Sequence, residues 1–314
     1  MVKILLVVAA VLCVLLVAAW INHRVKLKKE KELLQPLGQL VEVGGKRMCI
    51  YTEGEGEKTI VFLAGGGSAS PTLDFKSLYS QLTNEYRIAV VEKFGYGFSE
   101  EYDRSRDIDT MLEDTRTALS KAGLQAPYIL APHSMSGLEA IYWSQKYPEE
   151  VSAIVGLDMA VPEYYVDLKF SSGALKMNQV LCEMGLVRLI SGAYINALYA
   201  DATLTEEDKR IVKALYSKRC ISDTFINEAK YCRENARKID AGGVPQVPVL
   251  MFISNGERIN MDKELWKNTA KAYAEGLERG EYVQLDCPHQ VHNVEYKKIA
   301  EEMKRFLKKS AHFE

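Results

Sequence analysis

The sequence predicts an α/β fold: a mainly parallel eight-stranded sheet with helices on both faces, preceded by a transmembrane helix. The first observation is that short apolar runs rich in β-branched residues alternate with segments of helical periodicity. The second is that residues 4–21 carry no charge, and the third is that 162–244 contains no strand-like run. We therefore expect an anchor and charged stalk over 1–35, an α/β core over 36–161 and 245–314, and a helical lid over 162–244.

The N-terminal segment has the length of a membrane span. Its eighteen uncharged residues, 4–21, would rise about 27 Å as a helix, close to the roughly 30 Å of a hydrocarbon core. A cleaved signal peptide is the rival interpretation, with 17–19 as its cleavage site. Length and flanks favour a single-pass anchor that contacts the lipid bilayer through 4–21. The positive-inside rule then favours a cytoplasmic catalytic domain, because basic residues follow the span: Arg24, Lys26, Lys28, Lys29 and Lys31.

Eight strands and the helices between them are predicted from the remaining pattern. The strands are 40–43, 48–52, 59–63, 87–91, 128–131, 151–157, 247–253 and 281–285. Gly44 and Gly45 join the first two as a hairpin. The helices of the predicted core are 71–82, 107–122, 137–146, 263–279 and 294–307. Continuous apolar strands separated by helices indicate a sheet that is covered on both faces.

Composition excludes several classes of protein. The chain has 314 residues, of which 47% are hydrophobic, and a formal net charge of −2. It is therefore not largely disordered, and it has no general attraction to nucleic acid. No C-x-x-C pair occurs, so we expect neither a disulfide framework nor a zinc site. Each cysteine is interpreted as a small core residue: Cys13, Cys49, Cys182, Cys220, Cys232 and Cys287.

A candidate nucleophile follows the fifth predicted strand. Ser134 lies in the turn 132–137 between that strand and a helix, where a hydroxyl can be exposed at the carboxyl edge of the sheet. The N–H of Met135 would lie at the helix N-terminus, which suits a donor to an oxyanion. The rival interpretation of Ser134 is a helix N-cap in an ordinary turn.

Four motifs, each after a predicted strand, resemble the α/β-hydrolase superfamily in its serine-hydrolase branch over residues 40–309. They are 63–67 for the oxyanion loop, 92–99 for a Gly-x-Gly-x-Ser loop, 132–137 for the nucleophile elbow and 287–289 for the histidine step. The resemblance implies that a backbone N–H of Gly65 or Gly66 completes the oxyanion site. The sequence departs from the pattern at Pro132 and Ser136, where the elbow usually has glycine, and at Ala64, where many members have histidine.

The general base is chosen from five histidines. His289 matches the base position of the resembled family, and His292 is the alternative because it also follows the last strand. His133 directly precedes Ser134, so we expect its side chain to point away from that serine. A base is required because a serine hydroxyl is weakly nucleophilic until its proton is removed.

Two carboxylates compete to orient that base. Most of the resembled family places the acid after the seventh strand, where this sequence offers Glu257 but no aspartate at the usual spacing. A minority uses the preceding strand end, and Asp158 directly follows the run 151–157. We predict Asp158 as the acid and keep Glu257 as the alternative.

The predicted lid carries apolar and aromatic side chains that would line a substrate pocket or form the core of the lid: Tyr164, Tyr165, Phe170, Leu181, Met184, Leu186, Tyr194 and Tyr199. The resemblance implies a serine hydrolase that acts on a small-molecule ester or related acyl substrate without a metal or organic cofactor. A serine at 134 argues against the aspartate-nucleophile chemistry that other members of this fold perform. The alternative is a catalytically silent binding or sensor protein at the membrane, which the departures at Ala64 and Pro132 and the competition between two candidate acids leave open.

Overall fold

The computed structural model describes residues 1–168, 171–259 and 261–310. Its centre is one eight-stranded sheet with the spatial order β1-β2-β4-β3-β5-β6-β7-β8. The pairs β1–β2 and β2–β4 are antiparallel, and all other neighbouring strands are parallel. The strands are β1 Gln39–Val43, β2 Lys46–Glu53, β3 Thr59–Leu63, β4 Arg87–Glu92, β5 Tyr128–Ser134, β6 Val151–Met159, β7 Val249–Ile253 and β8 Gly280–Gln284.

The eight predicted strands are confirmed, with shifts of a few residues at their ends. The predicted hairpin is also present, because Val43 pairs with Lys46 across a two-residue turn. Gly44 and Gly45 adopt φ values of 60° and 82°. Positive φ at both central residues matches the twist of a hairpin and strongly favours glycine there.

Helices cover both faces of the sheet. On one face, Leu112 of α4, Trp143 of α5 and Trp266 of α10 share one apolar core. On the other, Leu78 of α3 and Phe306 of α12 belong to a second core. The helices are α1 Val2–Lys29, α2 Pro71–Asp74, α3 Lys76–Tyr79, α4 Ile108–Lys121, α5 Gly137–Lys146, α6 Ser172–Glu183, α7 Ser191–Leu198, α8 Glu206–Lys218, α9 Asp223–Ala241, α10 Lys263–Glu275, α11 Val291–Val294 and α12 Tyr296–Ser310.

Three predicted helices differ from the structure. The predicted helix 263–279 ends four residues early, at Glu275, with Gly276 as its C-cap. The segment 71–82 is not one helix but two short ones, α2 and α3, which meet at the fully buried Phe75. The predicted helix 294–307 begins later, at Tyr296, and the short α11 precedes it. Between α2 and α3, and again between α11 and α12, the chain changes direction and buries side chains against the sheet. The spacing of apolar residues in the sequence does not predict such a change of direction.

The segment between β6 and β7, residues 162–244, is called the β6–β7 insertion below. It contains α6, α7, α8 and α9 and, among its described residues, no strand. The prediction that each cysteine is a core residue is wrong for Cys13 of α1, whose side chain is exposed, and the prediction of no disulfide is wrong for two residues of the insertion. Cys182 of α6 and Cys220, between α8 and α9, form a disulfide with Cα atoms 6.3 Å apart. Packing of α6 against the start of α9 brings together two cysteines that lie 38 positions apart in the sequence, so spacing gave no signal.

The N-terminal helix α1 is long and apolar enough to cross a membrane. Its side chains from Ile4 to Leu16 are all exposed, so the globular part of the protein does not cover that stretch. Near its C-terminal end, His23 is buried against the β6–β7 insertion. Among the described residues, α1 is therefore held to the core near its C-terminal end, and its earlier part projects away.

Candidate active site

Ser134 lies at the sharp turn that ends β5. Its φ is 53°, a left-handed conformation that costs energy for a residue with a side chain. Helix α5 begins three residues later at Gly137. A Cβ atom on Gly137 would lie 2.1 Å from the carbonyl oxygen of Ala160, so only glycine fits where the helix passes the end of β6. This close approach holds the turn and leaves the Ser134 hydroxyl at the carboxyl edge of the sheet.

Pro132 and Ser136 stand where the resembled family usually has glycine, and both fit the local structure of the turn. Pro132 is a buried residue of β5 that pairs in register with Leu63 of β3. The Ser136 hydroxyl donates a hydrogen bond to the carbonyl oxygen of Ala64. Ser136 thus fixes the start of the glycine-rich loop against the turn, a contact that glycine at this position would not make.

His289 and Asp158 form one hydrogen-bonded chain with Ser134. The distance from His289 Nε2 to Ser134 Oγ is 2.9 Å, and that from His289 Nδ1 to Asp158 Oδ2 is 2.5 Å. The backbone N–H of His289 donates to the carbonyl oxygen of Glu257 at 3.0 Å, which anchors the loop that carries the imidazole. The chain runs from hydroxyl to imidazole to carboxylate, the geometry by which an imidazole accepts a serine proton.

Asp158 is held from its other side as well. Its Oδ1 atom accepts from the Ser254 backbone N–H at 2.9 Å and from the Trp266 indole N–H at 3.0 Å. The residue is 1% exposed, so these donors replace water around the carboxylate. Sequence reasoning missed Trp266, because no local motif indicates that an indole from α10 reaches the end of β6.

The two alternative residues lie elsewhere. The Glu257 side chain is 60% exposed and its carboxylate is 3.8 Å from the Lys263 ammonium, so only its backbone contributes to the site. His292 is buried in α11, and no hydrogen bond among the described residues joins it to Ser134. Burial, followed by the nearby His289, lowers the pKa of His292 to about 3, so its ring is neutral.

The expectation for His133 is wrong. Its Nε2 is 3.2 Å from the His289 carbonyl oxygen, and its ring centroid is 4.6 Å from those of both His289 and His292. Strand alternation would send His133 and Ser134 to opposite faces, but the β5–β6 register shifts between them. Burial and the two neighbouring histidines hold the pKa of His133 well below its usual range. A neutral imidazole therefore forms a wall beside His289.

The predicted oxyanion donors lie next to Ser134. A Cβ atom on Gly65 would be 2.8 Å from the Ser134 Cβ, so the glycine-rich loop touches the serine. No hydrogen bond within the described chain uses the N–H of Gly65, Gly66 or Met135. The next N–H, that of Gly67, donates to the Tyr96 hydroxyl at 3.1 Å. Three N–H groups thus remain able to donate to a bound oxygen.

A pocket of about 160 Å³ opens beside Ser134 and His289. Helix α7 forms one wall with Tyr194, Ile195 and Leu198, and Tyr199 follows it. Of the side chains proposed for the lid, Tyr194 and Tyr199 line this pocket, whereas Phe170 lies outside the described residues. Polar residues that follow β8 also line the pocket, namely Gln290, His292 and Asn293.

The arrangement is suited to attack on an electrophilic carbonyl. A hydroxyl bonded to an imidazole, itself bonded to a buried carboxylate, gains nucleophilicity as its proton leaves. Free N–H groups beside the hydroxyl are suited to the negative charge that would develop on the attacked oxygen.

Comparison with known proteins places the chain among relatives of the same fold. It is 36% identical over 308 residues to the uncharacterized protein YbdG of Bacillus subtilis, covering 96% of this chain and 95% of that protein. No protein-family model matches. Among solved structures, the epoxide hydrolase VrEH1 from Vigna radiata has a TM-score of 0.67 at 18% identity and covers 86% of this chain and 97% of its own.

A second solved structure, a thermophilic esterase from Thermogutta terrifontis, has a TM-score of 0.59 at 18% identity, covering 87% of this chain and 99% of its own. Likeness at such identity concerns the fold, and both neighbours share the strand-and-helix framework that carries the Ser134 turn. The chain therefore belongs to the same family as YbdG, and it has the α/β-hydrolase fold of the solved structures to which it is similar.

Proposed function

We propose that this protein is a membrane-anchored serine hydrolase that cleaves a carboxylic ester or related acyl bond. The observation that carries the proposal is the hydrogen-bonded chain Ser134–His289–Asp158, with heavy-atom distances of 2.9 and 2.5 Å, opening on a pocket. Other chemistries of the fold that use an aspartate nucleophile are disfavoured, because position 134 is serine.

The proposed mechanism has two halves. Ser134 Oγ attacks the acyl carbon while His289 Nε2 takes the hydroxyl proton, and the carbonyl oxygen becomes an oxyanion held by the N–H of Met135 and that of Gly65 or Gly66. The C–O bond to the leaving alcohol breaks as His289 returns the proton to that alcohol, which leaves an acyl-enzyme. Water then attacks the acyl carbon while His289 takes a proton from it; the bond between that carbon and Ser134 Oγ breaks, His289 returns the proton to Oγ, and the acid is released.

Asp158 orients His289 throughout, with its own position fixed by Trp266 and Ser254. Its negative charge stabilises the imidazolium that forms in each half-reaction. The scheme needs neither a metal nor an organic cofactor. We also propose that the β6–β7 insertion acts as a lid, in which α7 shapes the pocket and limits the entry of water.

Membrane anchoring by α1 is part of the proposal. The supporting observation is a 28-residue helix whose apolar portion is uncovered by the rest of the chain. The basic flank from Arg24 to Lys31 favours a cytoplasmic core, whereas the Cys182–Cys220 disulfide is typical of oxidising compartments. Protease digestion of intact and opened cells distinguishes the two sides: a cytoplasmic core is degraded only after opening.

The experiment that tests the hydrolase activity measures turnover of 4-nitrophenyl esters of increasing acyl length. The wild type is compared with His289→Gln and with Glu257→Gln, which changes an exposed carboxylate outside the pocket. We expect a burst of 4-nitrophenol followed by steady turnover in the wild type and in Glu257→Gln, with losses of several orders of magnitude only in His289→Gln. A folded wild type that releases no 4-nitrophenol would favour the silent binding protein.

A further inference from the structure

Exposed apolar side chains are concentrated in one part of the β6–β7 insertion. Beyond α1, the described residues with large exposed apolar side chains are eight, and six of them lie between positions 177 and 194. The other two, Val244 and Leu265, stand apart from these in sequence. We call the six residues the apolar patch: Met177, Val180, Leu181, Leu189, Ile190 and Tyr194.

The patch is compact in the fold. Met177, Val180 and Leu181 stand at i, i+3 and i+4 of α6 and therefore share one face of that helix. The turn Leu186–Leu189 follows α6 and contacts both α6 and α7. Leu189 is 81% exposed and Ile190 is 61% exposed, values that a water-facing surface does not favour.

Helix α1 is fastened to this same segment. The guanidinium of Arg188 donates two hydrogen bonds of 2.7 Å to the Glu30 carboxylate, and its Nε donates to His23 Nδ1 at 2.9 Å. Arg188 is buried, so the charge pair is shielded from solvent. A Cβ atom on Gly185 would lie 2.4 Å from the His23 Cβ and 3.1 Å from the Ala19 carbonyl oxygen. The contact therefore reaches into the uncharged stretch of α1.

The contact with α1 also determines how deep the apolar patch lies relative to the bilayer. Ala19 lies inside the uncharged stretch, and Glu30 lies nine residues beyond its end at Ile21, which is about 13 Å along the helix. The headgroup region on each side of a hydrocarbon core is roughly 5–8 Å thick. The segment from Gly185 to Ile190, held between Ala19 and Glu30, therefore stands where hydrocarbon meets headgroups once α1 spans a bilayer.

Helix α7 connects the apolar patch to the pocket. Tyr194 belongs to both, because it is exposed and also lines the pocket beside Ser134. Ile195 and Leu198 continue the same wall. Gln290 and Asn293 line the same pocket, and their Oε1 and Oδ1 atoms have no hydrogen-bond partner among the described residues. Such a pocket matches a molecule with an apolar chain and a polar end.

We propose that the apolar patch inserts into the surface of the bilayer that α1 spans, and that the pocket receives an amphiphilic acyl ester directly from that bilayer along α7. The proposal rests on the proposed function for the identity of the bond that is cleaved. It adds the source and class of substrate: a lipid ester delivered from the membrane rather than an ester taken from water.

Kinetics on two substrates test the route of entry. The full-length protein in phosphatidylcholine vesicles is given a long-chain acylglycerol within the vesicles or water-soluble 4-nitrophenyl acetate. We expect the double variant Leu189→Glu/Ile190→Glu to lose at least tenfold in kcat/KM on the acylglycerol while staying within twofold on the acetate. The matched control, Val244→Glu/Leu265→Glu, places the same charges on the exposed apolar residues outside the patch and should change neither. Equal losses on both substrates, or no loss on either, would overturn the proposal.

Fluorescence tests the membrane contact without relying on turnover. Ile190→Trp and Leu265→Trp are compared with the parent protein in vesicles that contain brominated phosphatidylcholine, which quenches indoles in the acyl region. We expect the added tryptophan to be quenched in Ile190→Trp and not in Leu265→Trp, and equal quenching would contradict the membrane contact. If neither ester is hydrolysed, the proposed function and the route of entry both fail, while the quenching result still supports or overturns the contact itself.

Discussion

The sheet and the β6–β7 insertion both contain many apolar side chains, but they differ in how far those side chains are buried. Strands β3 and β7 are buried along their whole lengths, and the ends of β5 and β6 carry Ser134 and Asp158. The insertion instead leaves large apolar side chains exposed, as at Leu189. In the function proposed above, the sheet fixes the geometry of the chemistry, and the insertion selects the molecule that reaches it.

The contacts of the site support this division. Asp158 is fixed by Trp266 and by the backbone of Ser254, all of them on the core. The insertion contributes the pocket wall that includes Tyr194 and Ile195. Substitutions in the core should therefore change rate or stability for every substrate, and substitutions in the exposed part of the insertion should change preference.

The largest expected effect distinguishes Asp158 from Glu257, the two carboxylates that the sequence left as candidates for the acid that orients His289. Asp158→Asn keeps the shape of the side chain but weakens the orientation of His289, and we expect kcat to fall about 10⁴-fold. Glu257→Gln is the matched control; its exposed carboxylate should be dispensable, and kcat should stay within about twofold. Steady-state kinetics on 4-nitrophenyl butyrate measure both. Comparable losses in the two variants would contradict the assignment.

The next effect compares one added methyl group in each region. Gly137→Ala would place a Cβ atom 2.1 Å from the Ala160 carbonyl oxygen, so α5 must move away from β6. We expect a loss of roughly 1–3 kcal/mol in stability. Gly173→Ala adds the same methyl at the second residue of α6, where nothing lies within 4 Å, and should not lower stability. Chemical denaturation in detergent measures both, and a neutral Gly137→Ala would contradict the close approach.

The smallest effect concerns Asp74, which links the two regions by accepting hydrogen bonds from the hydroxyls of Ser68 and Tyr199. Burial raises the pKa of Asp74 from 3.8 to about 6. Between these values the folded protein keeps a proton that the unfolded chain has released, so this group makes stability fall as pH rises from about 4 to 6. Relative to Asp74→Asn, the wild type should lose melting temperature between pH 4 and pH 7, and parallel profiles would count against the raised pKa.

Local patterns in the sequence were sufficient for the sheet and for the principal candidates. Central strands such as β3 and β7 are continuous apolar runs, so their existence follows from composition and length. Ser134, Asp158 and His289 each lie at or beyond the carboxyl end of a strand, and parallel strands bring these ends to one edge. The order of the motifs along the chain, together with the topology of a parallel sheet, therefore predicts that these three side chains lie close together.

The features that escaped sequence reasoning depend on contacts between distant segments. Trp266 reaches Asp158 from α10, and Cys182 meets Cys220 only because of how the insertion folds. His133 lies beside His289 because the β5–β6 register is irregular at that point, whereas strict alternation predicts the opposite face. None of these contacts can be predicted from a short stretch of neighbouring residues.

The most direct test of the central claim is covalent labelling by a fluorophosphonate, which reacts with an activated serine at a carbonyl-binding site. The account predicts that the full-length wild type is labelled, that mass spectrometry locates the adduct on Ser134, and that Ser134→Ala is not labelled while Ser136→Ala still is. A folded wild type that resists the reagent, or an adduct on another residue, would contradict the account.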